Sequence, residues 1–349
     1  MSKMYKPEIL NPSTASGAGR VKTLIKQGLV EVVDTFVSQV AELEQVENPS
    51  RPARPKKIGS REGLWIYYPW KKCLVRVLKQ VDFQRLRTSR NQNLITLAEQ
   101  KKFERAKIGF AGLNVGNPGA VCVALEGGAN YMKMADFDEL SLSNLNRFRA
   151  GLPELGLNKA VLTARQVYEI NPFAEIKMFD QGINPGSEDE FLLKPKLDLL
   201  VEEMDNLKLK ISIREKAKKH RIPVVMVTGN GAGLILDVER YDQQPGLSIL
   251  NNLLSKTYIE KIRKLDASKI PAANKVLLAR DFMGAKNLTK RLQDSFLLVG
   301  SKLAGIPQLA EASFLRGAVL AYAVRRIITG APLASGRYFL DLEEILNND

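Results

Sequence analysis

The sequence predicts a doubly wound α/β domain on a mostly parallel sheet, with a small α+β module before it and a helical C-terminal part behind it. Three observations predict this. From residue 106 onward, apolar runs ending in glycine or acids alternate with helical patterns. That order belongs to a parallel sheet with helical crossovers. The 349 residues are 45% hydrophobic and 26% charged, a globular composition long enough for two domains. An aromatic, proline-punctuated stretch lies ahead of the alternation. The expected boundaries are 1–85 for the small module and 86–349 for the larger domain, whose core is 106–240 and whose C-terminal helices and closing strand are 241–349.

The elements follow in chain order. The first twenty residues, with NPSTASGAGR, read as a loose terminus. VEVVDTF starts as a strand, and Asp34 can cap a helix carrying Phe36, Val40 and Leu43 on one face. NPSRPARPKK (48–57) reads as a linker. WIYYPW with the following KKCLVRVL suggests a hairpin. Its aromatics read as module core rather than as a platform for stacked bases. Thr96 and Glu99 form a capping box before a short helix.

AKIGFAGL is then a strand ending in glycine, and NVGNPGAVCVALEGG a turn, a helix and a stop. ANYMKMADFD is a second strand, ending in acids, and NKAVLTARQVYEINP a helix stopped by proline. AEIKMFDQGI, LDLLVEEMDN and HRIPVVMVTGNGAG are further strands. Residues 245–300 read as mixed helix. AEASFLRGAVLAYAVRRIITG reads as a packed helix with Leu315, Val319 and Tyr322 on one face and Gly330 at its end. RYFLDLEEIL closes as a strand.

Charge narrows the partners. There are 52 basic and 38 acidic residues, a balance of +14. Residues 51–107 hold 16 basic and 4 acidic residues, so this stretch alone carries +12. The run KLKISIREKAKKHR (208–221) has 7 basic residues against 1 acidic. Such surfaces suit nucleotides, RNA, acidic proteins or anionic lipid, or simply a solvated face that aids solubility. A single histidine, His220, excludes a multi-histidine metal centre. It sits in a basic run and reads as a surface residue. Two cysteines, Cys73 and Cys122, exclude a disulfide framework and a four-cysteine zinc site. The uncharged stretch from Ile108 to Leu125 is broken by glycines and a proline, so no membrane span is expected. The start lacks an apolar signal core, and the expected compartment is the cytoplasm.

Four places carry candidate chemistry. The first is the turn Gly112-x-Asn114-x-Gly116-x-x-Gly119, with Val115 inside it. A glycine turn opening a helix lets backbone N–H groups approach phosphate, and Asn114 tolerates left-handed geometry where a second glycine would stand. The second is Asp136 with Asp138, at a strand end 24 and 26 residues beyond Gly112. An acid at this offset suits a ribose hydroxyl. The third is SLSNLNRFRAGLPELGLNKA, with Asn144, Asn146, Arg147 and Lys159. Arginine offers a fork and lysine a point charge to phosphate oxygens. The fourth is Asp205 with Asn206 in EEMDN, where a carboxylate at a parallel-strand end can hold Mg²⁺. Each place has a bland reading as well: a bare strand–helix turn, a helix cap, surface charge, and a second cap.

Taken in order, GLNVGNPGA, MADFDELSLSNLNR, Lys159, INP (170–172), MDN (204–206) and RIPVVM (221–226) resemble the ThiF/MoeB/HesA superfamily, relatives of the ubiquitin-activating enzymes. The resemblance runs from Ala106 to about Glu239 and implies a Rossmann-like, nucleotide-binding adenylation domain. It implies that the turn at Gly112, Asn114, Val115 and Gly116 holds nucleotide phosphates, and that Asp136 is the ribose acid. Asn146, Arg147 and Lys159 would contact phosphate, with Asp138, Asn144 and Asn206 beside them. Asp205 would be the Mg²⁺-associated acid. RTSRNQNL (87–94) resembles the family's R-x-x-R segment, whose second arginine, here Arg90, reaches into the neighbouring subunit of a homodimer. The wider chain resembles a bacterial branch with an added N-terminal module and a YYPW-type segment.

The resemblance implies ATP with Mg²⁺ and a catalytic set of Arg147, Lys159, Asp205 and Arg90. The substrate would be the C-terminus of a ubiquitin-like or sulfur-carrier protein, a peptide, or a tRNA base. Without C-x-x-C pairs the family's structural zinc is not expected, and no cysteine beyond Cys122 is present to carry a thioester. The alternatives are a non-catalytic nucleotide- or partner-binding module, a tRNA-modifying dehydratase, and an NAD or FAD oxidoreductase.

Overall fold

The computed structural model describes residues 4–28, 30–50, 61–265 and 270–346. Two sheets organise them. The first has four strands in the order β1-β3-β4-β2: β1 (Glu8–Leu10), β2 (Glu31–Asp34), β3 (Gly63–Tyr68) and β4 (Cys73–Leu78). β3 and β4 form the expected antiparallel hairpin, and β2 runs parallel to β4. Helices α1 (Ala15–Lys26), α2 (Phe36–Glu47) and α3 (Gln80–Arg87) flank this sheet. Asp34 Oδ1 accepts from the Phe36 N–H at 3.1 Å, and Phe36, Val40 and Leu43 are all buried. Most of the linker expected over 48–57 lies outside the described residues.

The loose terminus expected over the first twenty residues is corrected. Among the described residues, β1 pairs with β3 and α1 begins at Ala15. The small polar residues there are caps and turns. Thr14 Oγ1 accepts from the Gly17 N–H at 3.1 Å, and Arg20 grips Glu8 with two donors at 3.0 and 2.9 Å.

The second sheet has seven strands in the order β11-β10-β9-β8-β5-β6-β7. Its strands are β5 (Lys107–Ala111), β6 (Tyr131–Ala135), β7 (Glu175–Phe179), β8 (Leu199–Glu202), β9 (Val224–Gly229), β10 (Gly233–Glu239) and β11 (Gly336–Asp341). The five strands β5 to β9 run parallel; β10 and β11 are antiparallel additions at one edge. Its helices are α4 (Leu97–Arg105), α5 (Leu113–Leu125), α6 (Lys159–Ile170), α7 (Glu188–Leu193), α8 (Leu207–Lys219), α9 (Lys256–Lys264), α10 (Ala272–Met283), α11 (Lys290–Leu298), α12 (Ala310–Thr329) and α13 (Leu342–Leu346). The capping box of Thr96 and Glu99 opens α4 as expected. The whole is mixed α/β with a helical C-terminal part. Among the described residues no helix is long and apolar enough to cross a membrane.

β10 was not expected as a strand. All seven of its residues are buried, two of them acids. Asp237 pairs with Arg337 of β11 at 2.7 Å, and Glu239 with Arg214 of α8 at 2.8 Å. Buried acids survive when partners far along the chain neutralise them, and a local apolar pattern cannot show that.

The helix over 310–330 forms, and Gly330 ends it in left-handed geometry. Leu315 and Val319 of the expected face pack partly buried against the core, but the most deeply buried face lies beside them. Arg316, Gly317, Leu320, Ala321, Val324 and Ile327 point inward, while Tyr322 is 46% exposed. Glycine sets this rotation. A Cβ on Gly317 would stand 2.4 Å from Pro118 Cβ, and one on Gly119 would stand 2.6 Å from Leu320 Cδ2. α5 and α12 therefore pack backbone to backbone. The small module docks on the same domain, with Tyr68 donating to the Tyr168 carbonyl at 3.1 Å and Trp70 Nε1 to Glu169 at 2.7 Å.

Candidate functional site

The candidate residues gather at the carboxyl edge of the parallel strands, where β5 and β6 end. Gly112 is the whole of the turn. Its φ is +87°, and a Cβ there would stand 2.5 Å from the Glu203 carbonyl, so only glycine fits. The helix starts at the next residue. Asn114, Val115 and Gly116 therefore lie in the first turn of α5, not in a loop before it. Gly119 faces Leu320, so its role is helix packing. Pro118 has no N–H to offer the Asn114 carbonyl. The N–H groups of the first helical turn have no partners within their own helix, and the Asn114 Oδ1 is buried with no partner.

Asp136 lies just under this helix start. One carboxylate oxygen accepts from the Leu113 N–H at 2.6 Å and the other from the Asp138 N–H at 2.8 Å. Burial raises its pKa, opposed by those two N–H groups. The side chain expected to meet ribose thus also caps α5. Lys159 opens α6, is nearly buried, and reaches Asp138 with its ammonium at 3.0 Å. Asn144 Oδ1 accepts from the Ser141 N–H at 3.1 Å and shapes the loop before Arg147. Arg147 donates to the Ser143 carbonyl at 3.1 Å and to Asn146 Oδ1 at 2.8 Å. Its Nε is buried without a partner, and burial lowers its pKa while the charge of Asp205 raises it.

Asp205 follows β8 and keeps an exposed surface. Protein crowds its carboxyl and raises its pKa. Lys210 and Lys159 oppose that shift, and the nearby charges of Asp138 and Glu202 add to it. Among the described residues its side chain makes no hydrogen bond or ion pair. Asn206 caps α8 by accepting from the Leu209 N–H at 3.1 Å. Among the described residues no cluster of three or more His, Cys, Asp or Glu could hold a metal alone. A lone carboxylate such as Asp205 still suits Mg²⁺ carried by phosphates.

Arg90 is the outlier. It is exposed, in a single helical turn at Ser89–Asn91. Its neighbour Asn91 donates to the Glu126 carbonyl at 2.9 Å, at the far end of α5. With a rise of 1.5 Å per residue, that end lies about 20 Å from the helix start. The first arginine of the motif, Arg87, is spent there on the Ala124 carbonyl at 2.6 Å.

Sequence reasoning missed two buried groups at this edge. Glu203 accepts from the Val227 N–H at 2.6 Å, and burial pushes its pKa up to about 8. Arg316 comes from α12 and is 5% exposed. Glu203 stands beside Asp205 in EEMDN and reads there as part of one acid cluster, whereas nothing near Arg316 in sequence marks it.

Residues 88–246 match the ThiF family model. This domain belongs to the ThiF family. An uncharacterized protein of Mycobacterium tuberculosis is 36% identical over 318 residues, 91% of this chain and 43% of that protein. The chain thus spans less than half the length of that relative. The tRNA threonylcarbamoyladenosine dehydratase of Haemophilus influenzae is 23% identical, over 53% of this chain and 73% of its own. Among solved structures, Escherichia coli tRNA N6-threonylcarbamoyladenosine dehydratase aligns with a TM-score of 0.50 at 17% identity, over 73% of this chain and 98% of its own. At that identity the likeness speaks for the fold. The ThiF match ends before α12, so Arg316 lies outside it.

Proposed function

We propose that the chain is an ATP- and Mg²⁺-dependent adenylyltransferase that activates a substrate carboxylate. The observation that carries the reading is the start of α5. Its open N–H groups, Lys159 and Arg147 surround one place, and Asp138 and Asp205 flank it. Helix N-termini and arginine forks are anion sites. The unpartnered Asn114 Oδ1 and Arg147 Nε are polar atoms that a bound nucleotide would satisfy. The ThiF match over 88–246 adds to this.

In the reaction, a carboxylate oxygen bonds to the α-phosphorus of ATP, the bond to the β-phosphate oxygen breaks, and pyrophosphate leaves. Arg147 and Lys159 orient the phosphates and oppose their charge, which is most of what phosphoryl chemistry asks of a protein. Asp138 holds Lys159 in place. Asp205 would hold Mg²⁺, which supplies charge neutralisation at the phosphates when bound. In this reading the small module spans 1–85, the enzyme is a cytoplasmic homodimer, and Arg90 serves the partner's site. Its exposed position far from its own α5 start favours that over service in its own chain. The acceptor is a peptide or small-protein C-terminus, or a tRNA group bearing a carboxylate. The dehydratase relative favours tRNA, as does the basic balance of 51–107.

Thermal shift tests the reading. ATP with Mg²⁺ should raise the melting temperature in a concentration-dependent way, because a ligand that binds only the folded state stabilises it. A shift with NAD or FAD and none with ATP would make the chain an oxidoreductase. No shift with any of them would leave a partner-binding module.

A further inference from the structure

Arg316 is tied to Arg147 by a short polar chain. Arg316 Nη2 donates to Gln308 Oε1 at 3.3 Å, and its Nε donates to the Ala312 carbonyl at 3.2 Å. The Gln308 carbonyl accepts from Asn146 Nδ2 at 2.8 Å, and Asn146 Oδ1 accepts from Arg147 Nη1 at 2.8 Å. The loop before α12 thus fastens the arginine of the ThiF domain to an arginine from outside it. Arg316 Nη1 lies over the end of β9, where a Cβ on Gly229 would stand 3.2 Å away.

The two guanidinium groups are close enough to oppose each other's charge, and burial disfavours both. Little nearby cancels them. Glu203 stands near Arg316, but its carboxylate accepts from the Val227 N–H and makes no ion pair with the guanidinium. Asp205 faces Arg147 without a hydrogen bond. The α5 N-terminus adds further positive potential. A ligand with several charges and several acceptor oxygens relieves this arrangement, and a polyphosphate is such a ligand. Position gives the orientation. Asp136 and Asp138 follow β6, Gly112 follows β5, and Arg316 lies beyond β8 at the end of β9. A nucleotide with its ribose at the β6 side therefore extends its terminal phosphates towards Arg316.

We propose that Arg316 binds the β- and γ-phosphates of the nucleotide together with Arg147, and so holds the pyrophosphate that departs. This rests on the nucleotide reading above. Calorimetric titration of ATP, AMP and inorganic pyrophosphate, each with Mg²⁺, into wild type and Arg316→Gln tests it. ATP and pyrophosphate should bind at least about tenfold more weakly to the variant, the usual loss for a hydrogen-bonded charge. AMP should change by less than about twofold, since it reaches only the part of the site that Arg316 does not touch. Arg316→Lys keeps the charge without the fork and should fall between. Equal losses for AMP and ATP would make Arg316 structural and overturn the proposal, as would unchanged ATP affinity in the folded variant. If Arg316→Gln does not fold, Arg316→Lys and Gln308→Ala carry the same ATP-against-AMP comparison. A wild type that binds neither ATP nor pyrophosphate removes the nucleotide reading and this proposal with it. A wild type that binds ATP beside an unaffected variant removes this proposal alone.

Discussion

Gly317→Ala is the substitution whose sign the packing of α5 on α12 reverses. In the middle of an exposed helix, glycine to alanine is worth about 0.5–1 kcal/mol of added stability. Gly317 is buried, and its new Cβ would meet Pro118 Cβ at 2.4 Å, Pro118 C at 2.8 Å and Pro118 Cα at 3.1 Å. These are backbone and ring atoms that no rotamer change can move. Ordinary contact begins near 3.4 Å, so the two helices must part by about 1 Å. Close-packed interiors resist such shifts, and overpacking costs about 1–3 kcal/mol, with rigid partners at the upper end. Less the propensity gain, the net loss is about 2 kcal/mol. Arg316 is the preceding residue and α5 opens the candidate site, so ATP affinity should fall with stability. Gly19→Ala is the matched control, because nothing stands within 4 Å of its Cβ on α1. It should gain stability by up to about 1 kcal/mol. Urea unfolding of the three proteins, with ATP titration beside it, reads both effects. A Gly317→Ala chain as stable as Gly19→Ala would refute the backbone-to-backbone contact.

Other consequences can be checked with similar means. Asp136→Ala removes the acceptor of the Leu113 and Asp138 N–H groups and should cost about 1–3 kcal/mol in urea unfolding; an unchanged midpoint would show that the cap is idle. Asp205→Asn should remove the Mg²⁺ dependence of ATP binding while the unfolding midpoint stays within about 0.5 kcal/mol, as for a side chain without a bonded partner. Retained Mg²⁺ dependence takes Asp205 out of the site. Glu203, raised by burial from its usual 4.5 to about 8, keeps a proton in the folded chain that the unfolded chain loses, so stability should fall as pH rises between those values. Glu203→Gln should flatten that slope and melt later than wild type at high pH; parallel pH profiles would count against a buried neutral acid. Arg90→Ala and Arg147→Ala chains, each inactive, should regain about a quarter of wild-type pyrophosphate release when mixed as exchanging dimers, and no recovery after proven exchange would place Arg90 outside the partner's site.

What could be read from the sequence followed the range of each interaction. The βα alternation from residue 106 is local, because apolar period and glycine stops are set within a few residues. Strands β5 to β9 and helices α4 and α6 accordingly stand where the pattern put them, while α5 begins earlier than the glycine pattern suggests, directly after Gly112. The capping box at Thr96 and Glu99 is equally short in range. Errors came where a residue's partner was distant. β10 carries Asp237 and Glu239, and only Arg337 and Arg214 make them fit for a buried strand. The inward face of α12 takes in Leu315 and Val319 as expected but leaves Tyr322 exposed, because it centres on Gly317 and Arg316 and not on the largest apolar side chains. Gly317 faces inward because Pro118 requires it, and Arg316 because Gln308 accepts a hydrogen bond from it and the end of β9 stands beside it. The same logic divides the site. Asp136, Arg147, Lys159 and Asp205 stand on short segments whose spacing can be counted. Arg316 enters through a helix that the fold alone brings back to the sheet edge, so its pairing with Arg147 is a property of packing and not of any motif.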